Sequence, residues 1–213
     1  FELHAKFGKL PMNKILAPAI NYANEGFPVT ELIGYYLERS VPYLGAKFPN
    51  VLETYTVNGK APSKGTIFKN PYLATTYSKL AKGGRDAFYK GEMAKTIVNF
   101  IKEQGGFLSY NDLATHKSEW VQPVSVNYRG FDVWELPPNG QGIAALQMLN
   151  IIEQYDFSNI EFGSAEHIHI VTEAKKLAFE DRAKYYADMD FAKVPVEELL
   201  DKEYAKSRKK LIT

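Results

Sequence analysis

The chain has 213 residues, 45 % of them hydrophobic and 24 % charged, and a formal net charge of +1. Such a chain can bury a sizeable core, and its near-neutrality excludes the field that would draw nucleic acid or an anionic membrane. It has no cysteine, which excludes disulfides, thiolate nucleophiles and cysteine-ligated zinc, and no apolar stretch reaches the roughly 18 residues of a membrane span.

In chain order, the apolar spacing predicts helices over 12–25 and 30–44, arranged around Gly26-Phe27-Pro28, with Thr30 as N-cap. Thr54-Tyr55-Thr56-Val57 reads as a strand. It meets Asn58-Gly59, a short-turn signal, and is expected to pair back toward Ile67-Phe68. Asn70-Pro71 supplies an N-cap followed by proline at the first helical position. The helix it starts carries Leu73, Tyr77, Leu80 and Ala81 on one face and is expected to stop at Gly83-Gly84. Residues 92–104 repeat the scheme, with Met93, Ile97, Phe100 and Ile101 inward and Gly105-Gly106 at the end. Ser109 to Thr115 reads as a short helix.

Residues 123–136 alternate apolar and polar on both sides of Arg129-Gly130, the pattern of an antiparallel hairpin. Pro137-Pro138 and Gly140-Gln141-Gly142 follow, then a helix that is apolar nearly all round: Ile143, Ala144, Leu146, Met148, Leu149, Ile151 and Ile152. Gly140-x-Gly142-x-x-Ala145 imitates the dinucleotide fingerprint. That site needs a continuous buried strand before the turn and a second buried strand after the helix. A hairpin precedes this turn, and residues 155–163 lack the β-branched run of a parallel strand, so no nucleotide cofactor is predicted. A helix apolar on every side has an enclosed start whose free N–H groups need partners. Asn139 and the backbone of Gly140 and Gly142 are the candidates to cap it, or to brace a nearby cleft.

From Ser164 to Ala187 a long helix is predicted. At about 100° per residue, Ile170, Ala174, Leu177, Ala178 and Tyr185 form one stripe with Asp181 in its middle. An ionised carboxylate there must be paired or hydrogen-bonded. The candidate partners are a helix N-terminus, an arginine from elsewhere, or Tyr185 one turn on, and the expected role is structural. His167 and His169 point about 200° apart, so no metal site is predicted. The run Arg208-Lys209-Lys210 reads as a solvated helix end. Trp120 and Trp134, flanking the hairpin, are expected to anchor the core.

Four blocks, in order, carry a resemblance to a known family. They are Pro18-Ala19-Ile20 with Ala23, Gly26, Phe27 and Val29; Gly84 through Gly91; Pro137 through Glu153; and Glu173-Ala174 through Ala178-Phe179, Asp181-Arg182, Tyr185, Asp188, Asp190-Phe191 and Val194-Pro195. Together they resemble the γ-glutamyltranspeptidase family of N-terminal-nucleophile hydrolases. Met189 stands where the family usually has proline. Gly140-Gln141-Gly142 also departs from the Ser-Ser-Gly-Gly form of the best-known glutathione-cleaving members.

The resemblance implies a helix-dominated α+β chain with one or two antiparallel hairpins, part of an αββα precursor that cleaves itself into two subunits. Residues 1–213, taken as a single domain or fragment, would be the later, C-terminal part of the large subunit. The family's nucleophile, a threonine at the small subunit's N-terminus, would lie some tens of residues beyond Thr213, and the arginine that grips the substrate's α-carboxylate before Phe1. No catalytic, substrate-binding or metal residue is therefore assigned here, and no cofactor. Asp181, Arg182, Asn139, Gly140 and Gly142 remain structural candidates. The implied partners are the small subunit and a small γ-glutamyl substrate, and the implied location is periplasmic or extracellular. The activity implied is cleavage of γ-glutamyl amides with acyl transfer to water or an amino acid or peptide. The related options are an acylase, a poly-γ-glutamate-processing enzyme, or a scaffold fragment with no catalysis of its own.

Overall fold

The computed structural model describes residues Phe1–Thr213, 58 % of them helical. The chain forms two compact units, Phe1–Ser118 and Glu119–Thr213. Its sheets are both two-stranded and antiparallel, and the fold class is helix-dominated α+β.

The first unit runs α1 (Glu2–Phe7), α2 (Met12–Glu25), β1 (Phe27–Pro28), α3 (Glu31–Lys47), α4 (Asn50–Tyr55), β2 (Ile67–Phe68), α5 (Pro71–Tyr89), α6 (Glu92–Glu103) and α7 (Tyr110–Thr115). α2 packs against α5. The caps follow local chemistry. Asn70 Oδ1 accepts the Leu73 amide at 3.0 Å ahead of Pro71, and Ser109 and Asp112 close a reciprocal capping box at α7. Thr30 occupies the N-cap of α3 without a side-chain bond.

The strand expected at Thr54–Val57 is not formed. Residues through Tyr55 are the end of α4, and the Asn58-Gly59 turn closes only one isolated bridge, Val57 with Lys60. Ile67–Phe68 pairs instead with Phe27–Pro28. Packing around Phe68 accounts for the difference. Its buried ring stacks on Tyr55 at 6.1 Å and meets Phe27 edge-on at 6.0 Å, and Tyr55 makes that contact from the end of α4. On α6 the buried positions are Ala94 and Val98, while Phe100 is half exposed. The small side chains allow close approach, and the large one points away.

The second unit contains β3 (Val124–Tyr128), β4 (Phe131–Glu135), α8 (Gly142–Ile152), α9 (Ala165–Tyr185), α10 (Val196–Leu199) and α11 (Lys202–Lys209). The antiparallel hairpin forms as predicted, with Val126 opposite Val133. Arg129 (φ 50) and Gly130 (φ 91) make the turn, the primed geometry that matches strand twist. Val126, Ile143, Leu146, Val194 and Leu199 form one buried cluster, and Ile151, Ala174 and Ala205 a second. The tryptophans do not anchor these cores: Trp120 and Trp134 are both more than half exposed. Trp134 sits across from Ser125, on the strand positions opposite to the Val126–Val133 face that packs inward.

The helix expected to stop at Gly83-Gly84 breaks there but goes on. Gly84 has φ 65 and ψ −160, and helix resumes beyond it to Tyr89. Side-chain-bearing residues are almost excluded from that backbone region, at a cost of about 1–3 kcal/mol. Gly84→Ala is therefore expected to lower the unfolding free energy by that amount in denaturant melts. Lys82→Ala, two residues away in the same helix, should stay within about 0.5 kcal/mol of the parent.

Candidate functional site

The most concentrated polar chemistry in the second unit lies under an apolar roof. α8 buries Ile143, Ala144, Leu146 and Ile151, and among them Gln147 (3 % exposed) and Asn150 (1 %). These two polar residues sit one turn apart on the helix. Asn150 Nδ2 donates to the Leu200 carbonyl at 2.8 Å, tying α8 to the end of α10.

Gln147 faces Asp181, which α9 buries to 5 % exposure within its Ile170–Ala174–Ala178 stripe. Gln147 Nε2 donates to Asp181 Oδ2 at 2.9 Å. The Tyr204 hydroxyl donates to Oδ1 at 2.9 Å, and the Arg208 guanidinium pairs with the same oxygen at 3.2 Å. Arg208 also donates to the Leu177 carbonyl at 3.2 Å. The Tyr186 hydroxyl completes the chain by donating to Gln147 Oε1 at 2.5 Å. One carboxylate thus joins three helices, α8, α9 and α11. Its arginine comes from elsewhere in sequence, and no direct bond to Tyr185 takes part.

The electrostatics follow from burial beside that charge. Tyr204 is pushed up to about 12, first by burial and then by its hydrogen bond to Asp181. Burial, with the Asp181 charge second, raises Tyr186 well above the ordinary phenol range. Nearby, the Glu153 carboxyl is held below its usual value by hydrogen bonds from Lys202 and the Arg129 amide. Lys202 Nζ reaches on to the Asn127 carbonyl at 2.6 Å, so this second node ties the hairpin to α8 and α11.

The remaining structural candidates separate. Arg182, next to Asp181, is exposed and lies over the Phe179 ring. Asn139 is exposed, and the N-cap position of α8 is Gln141, without a side-chain cap bond. Gly140 has open space where a Cβ would be, whereas at Gly142 a Cβ would stand 2.5 Å from Glu135 Oε2. The basic run is not a solvated end: Arg208 is taken up by Asp181, and Lys209 donates to the Gln154 carbonyl at 2.8 Å. Gln147, Tyr204 and Arg208 were missed from sequence. Of these only Gln147 left a signal, as a polar residue paired with Asn150 in a helix otherwise apolar.

What this node can do chemically is limited by its enclosure. Both carboxylate oxygens are engaged and the group is nearly out of solvent, so a substrate has no open approach to it. The arrangement is that of an internal brace between helices, and solved structures match the fold that carries it. A cephalosporin acylase from Bacillus halodurans superposes with a TM-score of 0.91 at 38 % identity, covering all of this chain and 40 % of that one. The γ-glutamyltranspeptidase of Helicobacter pylori gives 0.89 at 29 % identity, covering all of this chain and 61 % of that one. Among curated proteins, the glutathione hydrolase-like YwrD proenzyme of Bacillus subtilis (strain 168) is 41 % identical over 201 residues, 94 % of this chain and 38 % of that protein. The γ-glutamyltranspeptidase profile matches residues 1–213, and the chain belongs to the γ-glutamyltranspeptidase family. It spans less than half the length of its curated relatives.

Asp181→Ala should lower stability by roughly 2–4 kcal/mol in thermal or denaturant melts. That range lies between the cost of one unsatisfied partner, about 1–3 kcal/mol, and that of breaking a fully buried pair, about 3–5 kcal/mol, because Arg208 keeps some exposure. The tyrosines set a second expectation. Their folded-state values are raised, so the folded protein holds these protons more tightly than the unfolded chain. The stabilisation is complete below about pH 10, the unfolded value, and is lost as pH rises through about 12. Melts between pH 8 and 11 should show declining stability above pH 10, and Tyr204→Phe should make that decline shallower.

Proposed function

We propose that this chain is part of the large subunit of a self-cleaving γ-glutamyltransferase or hydrolase, acting on γ-glutamyl amides and passing the acyl group to water or to an amino acid or peptide. The observation that carries the reading is the family match over residues 1–213, within relatives whose curated names include glutathione hydrolase proenzyme. In this reading the nucleophile is an N-terminal threonine of the small subunit, its own amine serves as base, and backbone N–H groups hold the oxyanion. The described residues supply framework. The Asp181 node braces α8, α9 and α11, and the Pro137–Gly142 turn sets the start of α8. The partners are the small subunit and a small γ-glutamyl substrate, in a periplasmic or extracellular setting.

A second reading keeps the scaffold and changes the acyl group. It is favoured by the 0.91 TM-score against a cephalosporin acylase, by kinship with the acylase ACY 1 proenzymes, and by Gly140-Gln141-Gly142 in place of the Ser-Ser-Gly-Gly form. The two readings divide on substrate. The full-length precursor, once processed, should release p-nitroaniline from γ-glutamyl-p-nitroanilide and should turn over a glutaryl-amide β-lactam more slowly. The reverse order of kcat/KM assigns it to the acylases. Residues 1–213 alone should release no p-nitroaniline above a buffer control, and release by the purified chain would overturn the placement of the nucleophile outside it.

A further inference from the structure

A cleft of about 290 Å³ opens in the second unit between the hairpin turn, the end of α8 and the start of α9. It shares no residue with the Asp181 node. Its walls are apolar and aromatic, formed chiefly by Tyr128, Ile152, Phe157 and Phe162, and two nitrogen-bearing side chains, Arg129 and His167, converge on it. Pockets of this make-up, apolar with a few polar groups, are the usual form of small-molecule sites, and the volume lies at the small end of their range of about 300–1,000 Å³. The occupant is therefore restricted to one or two rings.

Arg129 defines its charge. Arg129 is held in place by its own backbone, whose amide donates to Glu153 Oε1 at 2.8 Å. One guanidinium N–H donates to the Tyr155 carbonyl at 3.0 Å, and the group lies 5.7 Å from the centre of the Phe157 ring and 5.4 Å from that of Tyr128. The guanidinium has five N–H donors in all, so donors remain for a ligand. His167 is wedged between Phe157 and Phe162, with ring centres 5.9 and 4.9 Å away. Its Nδ1 is out of water with no hydrogen-bond partner in the protein, enclosed away from the cleft, so the ring serves the cleft as an aromatic wall. Two of the acids nearby are already engaged. Glu153 is paired with Lys202, and Asp156 accepts from the Ser158 amide while feeling the Arg129 charge. Lys209, over the Tyr155 ring at 4.4 Å, adds a further positive charge. Arg129 is the one full charge among the residues that line the cleft, so the cleft itself favours an anion.

We propose that this cleft binds a small aromatic carboxylate, its ring between the aromatic walls and its carboxylate held by the free N–H groups of Arg129. The site stands apart from the catalytic reading and holds whether or not the protein cleaves γ-glutamyl amides. The test is calorimetric titration of the full-length protein with phenylacetate and with its neutral match, phenylacetamide. Binding of phenylacetate with Kd below 1 mM, at least tenfold tighter than phenylacetamide, is the expected result. Two variants locate it. Arg129→Asn keeps a residue that tolerates the positive φ of the turn while removing the guanidinium. His167→Phe keeps the aromatic wall and serves as the control. Arg129→Asn should weaken phenylacetate at least tenfold with unchanged self-cleavage, whereas His167→Phe should bind within about threefold of the parent. No binding at millimolar phenylacetate, equal affinity for the amide, or an Arg129→Asn variant that folds normally and binds as the parent does would each overturn the proposal.

Discussion

The second unit depends on one buried carboxylate. Asp181 sits in the apolar stripe of α9, where an isolated charge would be costly, and three donors from α8 and α11 converge on it. The dependence runs both ways. Gln147 would otherwise be an amide buried inside an apolar helix, and Arg208 a cation close against the middle of α9. Each needs the carboxylate as much as the carboxylate needs them. Such a network is valuable only when complete, so it selects one arrangement of α8, α9 and α11 and penalises slippage among them. The apolar clusters on either side, around Leu146 and around Ala174, supply burial but little direction. The polar node supplies direction.

How much of this could be read from sequence depended on how local the cause was. The bounds of α2, the cap at Asn70, the capping box at Ser109 and the hairpin turn at Arg129-Gly130 are written in neighbouring residues, and each formed where its pattern indicated. The segment Thr54–Val57 misled because its β-branched residues announce a strand while the ring of Phe68, more than ten residues on, draws Tyr55 into a helix. The preference of a short stretch lost to a tertiary contact. Phe100 and Trp134 misled differently. Large apolar residues were assumed to face inward, but tight helix packing in the first unit uses Ala94 and Val98. Trp134 lies on the strand positions turned away from α8.

The site was half legible for the same reason. The inward position of Asp181 follows from helical spacing alone, and the need for partners follows from electrostatics. The identity of the partners does not, because Tyr204 and Arg208 lie more than twenty residues away and only folding brings them near. The basic run at 208–210 illustrates the ambiguity. Three consecutive cations look like a solvated helix end, yet α11 turns two of them inward, one to a carboxylate and one to a backbone carbonyl. Charge in sequence says that a partner or water is required, and only the fold decides which.

The glycine turn before α8 shows how a motif and its physics can part. In a dinucleotide site, glycines let a phosphate approach the first turn of a helix, where free N–H groups attract negative charge. Here the space beside Gly142 is taken by the protein's own acid. The Glu135 side chain, at the end of β4, lies so close that a Cβ on residue 142 would fall within 2.5 Å of its carboxylate. A negative group at a helix start is favourable, so the hairpin delivers from within what a cofactor phosphate would bring from outside. A second anion entering the same space would meet that carboxylate at close range and be repelled. The absence of a side chain at Gly142 therefore serves the packing of hairpin against helix, and Gly140, which faces open space, is free of that constraint. The resemblance to a nucleotide fingerprint is one of spacing only, and the steric demand at Gly142 is set by Glu135.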